Sequence, residues 1–289
     1  MPTLDDNACR PLRAREFARI RQLAYDTFGL DLRAGKETLV STRLGGQIRK
    51  LGCRSFEEYY QHVVADSTGE SLTSLIDALT TNHTSFFREP AHFDFLRRTF
   101  LREWNNRGTI GIWSAACSSG EEPYSIAMCL LEALGPAASE KVRILATDIS
   151  TRALAKARQG IYPAERFEGL PSLQLRKFWL RGEGDWAGCY RAKKEVRALV
   201  EFRRLNLLES APQVGHFPLI FCRNVMIYFN KPTQQRVVER LAGCLEPGGY
   251  LLTGHAESLS RIEHTLRYVE PAVYRKASCD GREKGKWSC

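Results

Sequence analysis

The chain has 289 residues with a net charge of +9, 43% hydrophobic and 26% charged residues. That length supports one large domain or two modest ones with substantial cores, and the composition is that of an ordinary soluble globular protein. No stretch approaches the roughly 18 apolar residues of a membrane span, and MPTLDDNACRPLRAREF has no secretory h-region, so membrane insertion is excluded and a cytoplasmic location is expected.

Phe17, Ile20, Leu23 and Ala24 recur at helical spacing, and so do Val40, Leu44, Ile48 and Leu51, with Gly52 as the stop. Ser55 and Glu58 form a capping box for a third helix, SFEEYYQHVV, and Leu72, Leu75, Ile76 and Leu79 define a fourth. The segment TTNHTSFFRE follows. Pro90 then suits the first turn of a helix carrying Phe93, Leu96, Phe100 and Trp104. The pattern changes at Thr109. TIGIWSA, VRILATD, VEFRRLNLL, PLIFCRN and GYLLTGH read as strands, separated by helices near Ile126–Leu134, over TRALAKARQG and over PTQQRVVERLAGCL. A Pro-Gly-Gly turn is expected before the last of these strands, and TLRYVEPAVYRKA reads as a closing antiparallel hairpin. Strands alternating with helices predict an α/β fold with a doubly wound, mostly parallel sheet. RKFWLRGEGDWAGCYRAKKEV reads as a small antiparallel insertion. The domain reading is a helical unit over 1–85, an α/β domain over 86–277 with an inserted β-subdomain near 176–204, and a polar tail over 278–289.

Nine scattered cysteines, an odd number with no C-x-x-C pair, argue for reduced thiols rather than a disulfide framework or a zinc knuckle. Residues 1–55 carry eleven Lys/Arg against six Asp/Glu, a basic front end suited to an acidic partner.

Three stretches carry the chemistry. In TIGIWSAACSSGEEPYS a strand enters the small-residue loop Ala115–Gly120 and a helix starts near Glu121. Small residues let a ligand approach the backbone, and a helix N-terminus favours nearby negative charge. Asp148 ends the next strand, where nucleoside-binding folds place a carboxylate on ribose hydroxyls; Ser150 or Thr151 can cap the following helix in its stead. The dinucleotide fingerprint G-x-G-x-x-G is absent. Loop and carboxylate together point to a nucleoside cofactor without a pyrophosphate, a description that S-adenosylmethionine fits. The second stretch, Asn82–Glu89, sets Asn82, Thr84 and Arg88 around an aromatic pair; its phenylalanines otherwise serve as packing at a junction. The third, Phe221–Phe229, follows the fourth strand and offers the Tyr228 hydroxyl. No H-E-x-x-H or G-x-S-x-G occurs, so zincin and hydrolase chemistry are set aside and no metal is expected. Without a Pro-Pro motif the base-flipping amino methyltransferases are disfavoured, and no nucleic-acid partner is expected.

In combination, TTNHTSFFRE, WSAACSSGEEPYSIAM, ATDIS, ARQGIYP, FRRLNLL, FCRNVMIYF and EPGGYLLTGHAESL resemble the chemotaxis receptor methyltransferases, the CheR family, from about Ala14 to Arg275. The resemblance implies a class I S-adenosylmethionine-dependent methyltransferase fold with an all-helical N-terminal domain and a small antiparallel β-subdomain. It implies methyl esterification of glutamate side chains on methyl-accepting chemoreceptors, with S-adenosylhomocysteine as the product, by a monomer. Cofactor contacts carry over to Asn82, Thr84, Arg88, Glu122, Asp148, Asn206, Leu207, Arg223 and Asn224. Arg88 and Tyr228 match the residues that position the substrate carboxylate. Receptor contacts carry over to Arg43, Arg49 and Lys50 on the second helix, where Gly46 and Gln47 interrupt the family's arginine-rich run. Gly182, Gly184 and Gly188 in the β-subdomain match a segment that docks a receptor C-terminal peptide. A glutamate with a pKa near ~4.3 is already ionised at neutral pH, so the implied chemistry needs alignment and desolvation rather than a general base.

Overall fold

A computed structural model describes residues 11–80, 83–104, 108–209 and 215–278. Two compact units emerge, one of residues up to 82 together with Tyr228–Thr233, the other of His83–Ile227 with the chain from Gln234 onward.

The first unit holds four helices: α1 (Ala14–Phe28), α2 (Glu37–Lys50), α3 (Phe56–Ala65) and α4 (Glu70–Leu79). Of the stripes expected from the spacing, Phe17, Ile20 and Ala24 of α1, Val40, Leu44 and Ile48 of α2, and Leu75, Ile76 and Leu79 of α4 are buried; Leu23 and Leu72 are half-buried, and Phe28 of α1 with Phe56, Tyr59 and Val63 of α3 complete the core. Leu51 is exposed instead, because α2 ends one residue earlier and Gly52 takes the left-handed turn at φ 69°. Ser55 Oγ accepts from Glu58 N at 3.2 Å as a capping box requires, but the Glu58 carboxylate reaches back one residue further, to Arg54 N at 2.8 Å. The helix α2 runs through Gly45 and Gly46 unbroken, although each mid-helix glycine costs about 1 kcal/mol relative to alanine. Gln47 offsets part of that loss by bridging helices: its Nε2 donates to Ser74 O at 2.6 Å and its Oε1 accepts from the Tyr59 hydroxyl at 2.5 Å.

Tyr228–Thr233 joins this unit through an antiparallel bridge between Leu30 and Phe229, with Asp31 N donating to Tyr228 O at 2.8 Å and Asn230 Nδ2 to the Tyr25 hydroxyl at 2.9 Å. Nothing in the periodicity signals this return, since one bridge and a few side-chain bonds carry it rather than a helix or strand.

The second unit begins with α5 (Ala91–Phe95), a π turn over Leu96–Phe100 and α6 (Leu101–Trp104), where the spacing predicts one helix. There follow β1 (Ile110–Ala115), α7 (Glu121–Leu134), α8 (Ala138–Lys141), β2 (Val142–Asp148), α9 (Thr151–Gln159) and β3 (Ile161–Pro163). Next are α10 (Ser172–Phe178), β4 (Trp179–Arg181), β5 (Cys189–Ala192), α11 (Lys194–Arg197), β6 (Val200–Arg204) and β7 (Phe217–Cys222). The chain closes with α12 (Lys231–Cys244), β8 (Leu245–Thr253), β9 (Arg267–Glu270) and β10 (Val273–Arg275).

Seven strands form one sheet in the order β6-β2-β1-β7-β8-β10-β9, parallel from β6 to β8 and antiparallel at β10 and β9. The central strands are buried along almost their whole length, as parallel strands covered on both faces must be. A separate antiparallel sheet, β3-β5-β4, draws its third strand from Ile161–Pro163, upstream of the insertion read from the sequence. The expected Pro-Gly-Gly turn is absorbed into β8: Gly248 takes φ 77° and the pairing with β7 shifts register there. Among the described residues no helix is long and apolar enough to cross a membrane.

The Leu44→Ala variant removes a fully buried side chain from the helical unit. It is expected to cost about 2–5 kcal/mol, read as a lower urea midpoint by circular dichroism.

Candidate active site at the carboxyl edge of the sheet

Strand register places the candidate residues before any side chain is considered. Ala115 of β1 pairs with Thr147 of β2 and with Cys222 of β7, and Cys222 pairs with Thr253 of β8. The next residue on each strand therefore falls in one row at the carboxyl edge: Asp148, Ala116, Arg223 and Gly254. The strand order reverses at β1, whose neighbours are β2 and β7, and such switch points are where ligands bind in open α/β sheets.

The loop after β1 is held tightly. Ala116 N and Cys117 N both donate to Thr147 O, at 2.8 and 2.9 Å. Asp148 Oδ2 accepts from Ser118 N at 2.7 Å and Oδ1 from Ser150 N at 2.9 Å. The cap of α9 is Ser150, whose Oγ accepts from Ala153 N at 3.0 Å, so Asp148 is not consumed as a helix cap. Gly120 opens α7 at φ 96°, and a Cβ there would lie 2.8 Å from Ala157 Cβ and 2.9 Å from the Tyr162 hydroxyl. Behind it Glu121 is buried, which raises its carboxyl above the usual range against the pull of the Ser119 hydroxyl at 2.7 Å.

The guanidinium of Arg223, only 2% exposed, lies between two carboxylates. Its Nη1 donates to Glu122 Oε2 at 2.9 Å, and its Nη2 to Glu89 Oε2 at 3.0 Å and to the Arg88 carbonyl. Glu122 is also held by the Ser114 hydroxyl at 2.7 Å. Burial works to raise the Glu89 carboxyl, but the charge and hydrogen bond of Arg223 win and hold it below its ordinary value. His92, buried beside this pair, is pushed down to about 3 by burial first and by the Arg223 charge second, so it is neutral.

A third carboxylate fixes the backbone around Arg223. Glu257 Oε2 accepts from Asn224 N at 2.7 Å and from Gly254 N at 2.8 Å, while Oε1 accepts from Ile227 N at 3.1 Å. Burial still raises this carboxyl despite those donors. The clamp holds Asn224 at φ 58°. Six non-glycine residues among those described have positive φ, and five of them, Phe87, Glu89, Ala116, Ser118 and Asn224, lie in these loops. Such conformations cost on the order of 1–3 kcal/mol each and cluster at functional sites.

The segment before α5 is anchored by its aromatic pair. Phe86 stacks on Phe167 at 4.8 Å and meets Tyr162 and Trp179 edge-on, while Phe87 meets Phe93 at 5.1 Å. Arg166 donates to Thr84 O at 3.1 Å, and Phe87 N to Ser125 Oγ at 2.9 Å. Thr84 is buried; Arg88 is half-buried, with its Nη1 on His83 O at 2.7 Å.

The structure thus brings Arg88, Glu122, Arg223 and Asn224 into one bonded network, with Asp148 in the same row. Asn206 and Leu207 follow β6, beside β2, and Asn206 Oδ1 accepts from Leu208 N at 3.0 Å. Asn82 lies outside the described residues. Tyr228 belongs to the helical unit and is half-buried. On α2, Arg43 donates to Leu79 O, which leaves Arg49 and Lys50 as the exposed cations at its end. Gly182, Gly184 and Gly188 shape the β4–β5 connection: a Cβ at Gly182 would collide with the Trp186 backbone, and the other two have positive φ. Ser114, Glu89, His92 and Glu257 are absent from the sequence-derived set. Glu89 and Glu257 lie inside the quoted motifs, but only the fold shows where their carboxylates point.

A loop of small residues under a helix N-terminus, a carboxylate at the end of β2 and a buried carboxylate–guanidinium network on a mostly parallel sheet define an α/β methyltransferase-type nucleoside site. Residues 82–274 match the SAM-binding domain of CheR methyltransferases, and residues 15–80 match the all-alpha domain of the same enzymes. The chain belongs to the CheR methyltransferase family. It is 44% identical over 263 residues to chemotaxis protein methyltransferase 2 of Pseudomonas aeruginosa, covering 91% of this chain and 93% of that one. It is 42% identical over 265 residues to the chemotaxis protein methyltransferase of Klebsiella aerogenes, covering 91% and 90%, and 40% identical over 259 residues to that of Escherichia coli, covering 89% of each.

The residues present fit S-adenosylmethionine. Two carboxylates around one guanidinium leave a net negative charge for a cationic ligand, and Asp148 stands at the end of β2 in the same row.

Glu257→Gln leaves one acceptor oxygen for three N–H groups. It is expected to lower stability by about 1–3 kcal/mol and to weaken S-adenosylhomocysteine binding, checked by thermal unfolding and calorimetry. Gly120→Ala is expected to weaken the same binding more than tenfold, because left-handed strain and two close contacts displace the loop.

Proposed function

We propose that the chain transfers the methyl group of S-adenosylmethionine to glutamate side-chain carboxylates on the cytoplasmic helices of methyl-accepting chemoreceptors, acting as a monomeric protein-glutamate O-methyltransferase in the cytoplasm. The observation that carries this reading is the Arg223 network, which fixes the Arg88 carbonyl, together with the Glu257 clamp on the Asn224 backbone, beside the row holding Asp148. Bound cofactor supplies an electrophilic methyl group on a sulfonium. When bound, the cofactor would be held at its ribose hydroxyls by Asp148, and by Asn206, Leu207, Asn82 and Thr84. Glu122 and Arg223 orient the amino-acid portion, whose ammonium and carboxylate have complementary charges.

The attacking carboxylate is anionic at neutral pH and needs no base. Arg88 turns from the His83 carbonyl to hold one of its oxygens by a charge-assisted bond, and the Tyr228 hydroxyl donates to the same group. Both leave the second oxygen to attack, and exclusion of water raises the energy of the separated charges that the reaction cancels. Arg49 and Lys50, with Arg43, face acidic receptor helices. The β4–β5 connection, with Gly182, Gly184 and Gly188, an exposed Trp186 and β4 at the sheet edge, suits an extended receptor C-terminal peptide added as a strand.

Incubation with radiolabelled cofactor and receptor cytoplasmic fragments tests the reading. A carboxyl methyl ester releases labelled methanol in mild alkali, whereas alkali-stable label means transfer to nitrogen and refutes it. Arg88→Ala is expected to lose most transfer, at least a hundredfold, and Tyr228→Phe about tenfold. Wild-type rates in both variants would remove these two residues from the mechanism.

A further inference from the structure

Three side chains with no part in the proposed cofactor contacts converge beside Arg223. Glu89 precedes α5, His92 lies in its first turn, and His255 follows β8. His92 Nδ1 is 3.5 Å from Glu89 Oε2, and the His92 and His255 rings are 5.0 Å apart at 66°. One ligand atom from each of the three falls within 4.8 Å of the others.

The independent observation is His92 itself. It is 1% exposed, yet neither ring nitrogen makes a hydrogen bond. A buried polar group left without a partner typically costs about 1–3 kcal/mol, so such groups call for an explanation. Tetrahedral zinc sites place nitrogen and oxygen ligands about 2.0–2.2 Å from the ion, hence roughly 3.3–3.5 Å from each other. The His92–Glu89 separation already has that span.

We propose that Glu89, His92 and His255 form a binding site for a divalent transition-metal cation of the zinc type, with water at the remaining positions. Two imidazoles and one carboxylate favour zinc, nickel or copper over magnesium or calcium, which take all-oxygen sets. Glu89 and His92 stand at Glu-x-x-His spacing, and only the fold brings His255 to them. Glu89 Oε2 is also the acceptor for Arg223 Nη2 at 3.0 Å, and the ion draws on that same carboxylate. Occupancy loosens the hold on Arg223, and zinc is expected to slow methyl transfer; this consequence rests on the transferase reading, whereas the site itself does not.

The test is a calorimetric titration of Zn²⁺ alone into the purified full-length chain, without cofactor or receptor, repeated with His255→Ala and His92→Gln. Circular dichroism checks the fold of each variant, and exposed His255 supplies the variant least prone to misfolding. The expected result is one saturable site that weakens at least tenfold in His255→Ala, with a Co²⁺ spectrum free of thiolate charge-transfer bands. No saturable site, unchanged affinity in His255→Ala, or thiolate bands from the cysteines would overturn the proposal. Zinc bound by a chain that transfers no methyl group would count against the transferase reading and leave the metal site standing.

Discussion

Arg223 is the constraint on which the site depends. Its guanidinium is removed from water between Glu89 and Glu122, and burying ions costs several kcal/mol apiece before their attraction returns anything. Such a network contributes little net stability compared with apolar packing of the same volume. Removing one partner is another matter, costing about 3–5 kcal/mol because the rest are stranded. What the arrangement secures is position. One side chain ties the end of β7, the first turn of α7 and the segment before α5 into a single geometry, through fixed hydrogen bonds at 2.9 and 3.0 Å. Its surplus negative charge also complements the cationic sulfonium of S-adenosylmethionine.

The strained backbone follows from the same requirement. Ala116 and Ser118 adopt left-handed conformations so that the β1 loop can direct its N–H groups at Thr147 O and Asp148. Asn224 does so under the grip of Glu257, and Phe87 and Glu89 do so where the aromatic pair inserts. Hydrogen bonds hold four of these residues in place: Ala116 N to Thr147 O, Ser118 N to Asp148, Phe87 N to Ser125 Oγ and Asn224 N to Glu257. The loops are therefore overdetermined, and a single substitution in the clamp is felt across the whole row.

Parts of this were legible in the sequence because they obey local rules. The helical stripes of residues 17–79, the alternation of strands and helices, and the Ala115–Gly120 loop all follow from periodicity and residue size. Asp148 was readable because it ends a strand and Ser150 is available to cap the following helix. Other features depend on distance in the fold. Glu257 lies 33 and 30 residues from the N–H groups of Asn224 and Ile227, and no periodicity marks a carboxylate whose partners are backbone amides in the loop after another strand. The pairing of Tyr228–Thr233 with the helical unit was hidden for the same reason, as was the passage of β8 through Pro247–Gly249, where a turn signal is overridden by the ladder with β7. On α2, Gly46 and Gln47 read as an interruption of the basic run, yet the helix persists, with Gln47 held by Tyr59 and Ser74.

The two halves of the proposed chemistry are held with unequal stiffness. Asp148, Glu122, Arg223 and Asn224 each have partners fixed by the sheet or by a buried carboxylate, so cofactor binding meets a site whose ordering is already complete. Arg88 is different: its backbone is fixed by Arg223, but its side chain rests on one neutral carbonyl, that of His83. A charged carboxylate is a stronger acceptor than a carbonyl, roughly twice as strong by hydrogen bond. On the proposed reading, exchange of the His83 carbonyl for an incoming carboxylate gives Arg88 a stronger bond without moving the backbone that carries it. A receptor side chain presented in variable sequence contexts is best met by that combination, a fixed origin with one adjustable arm.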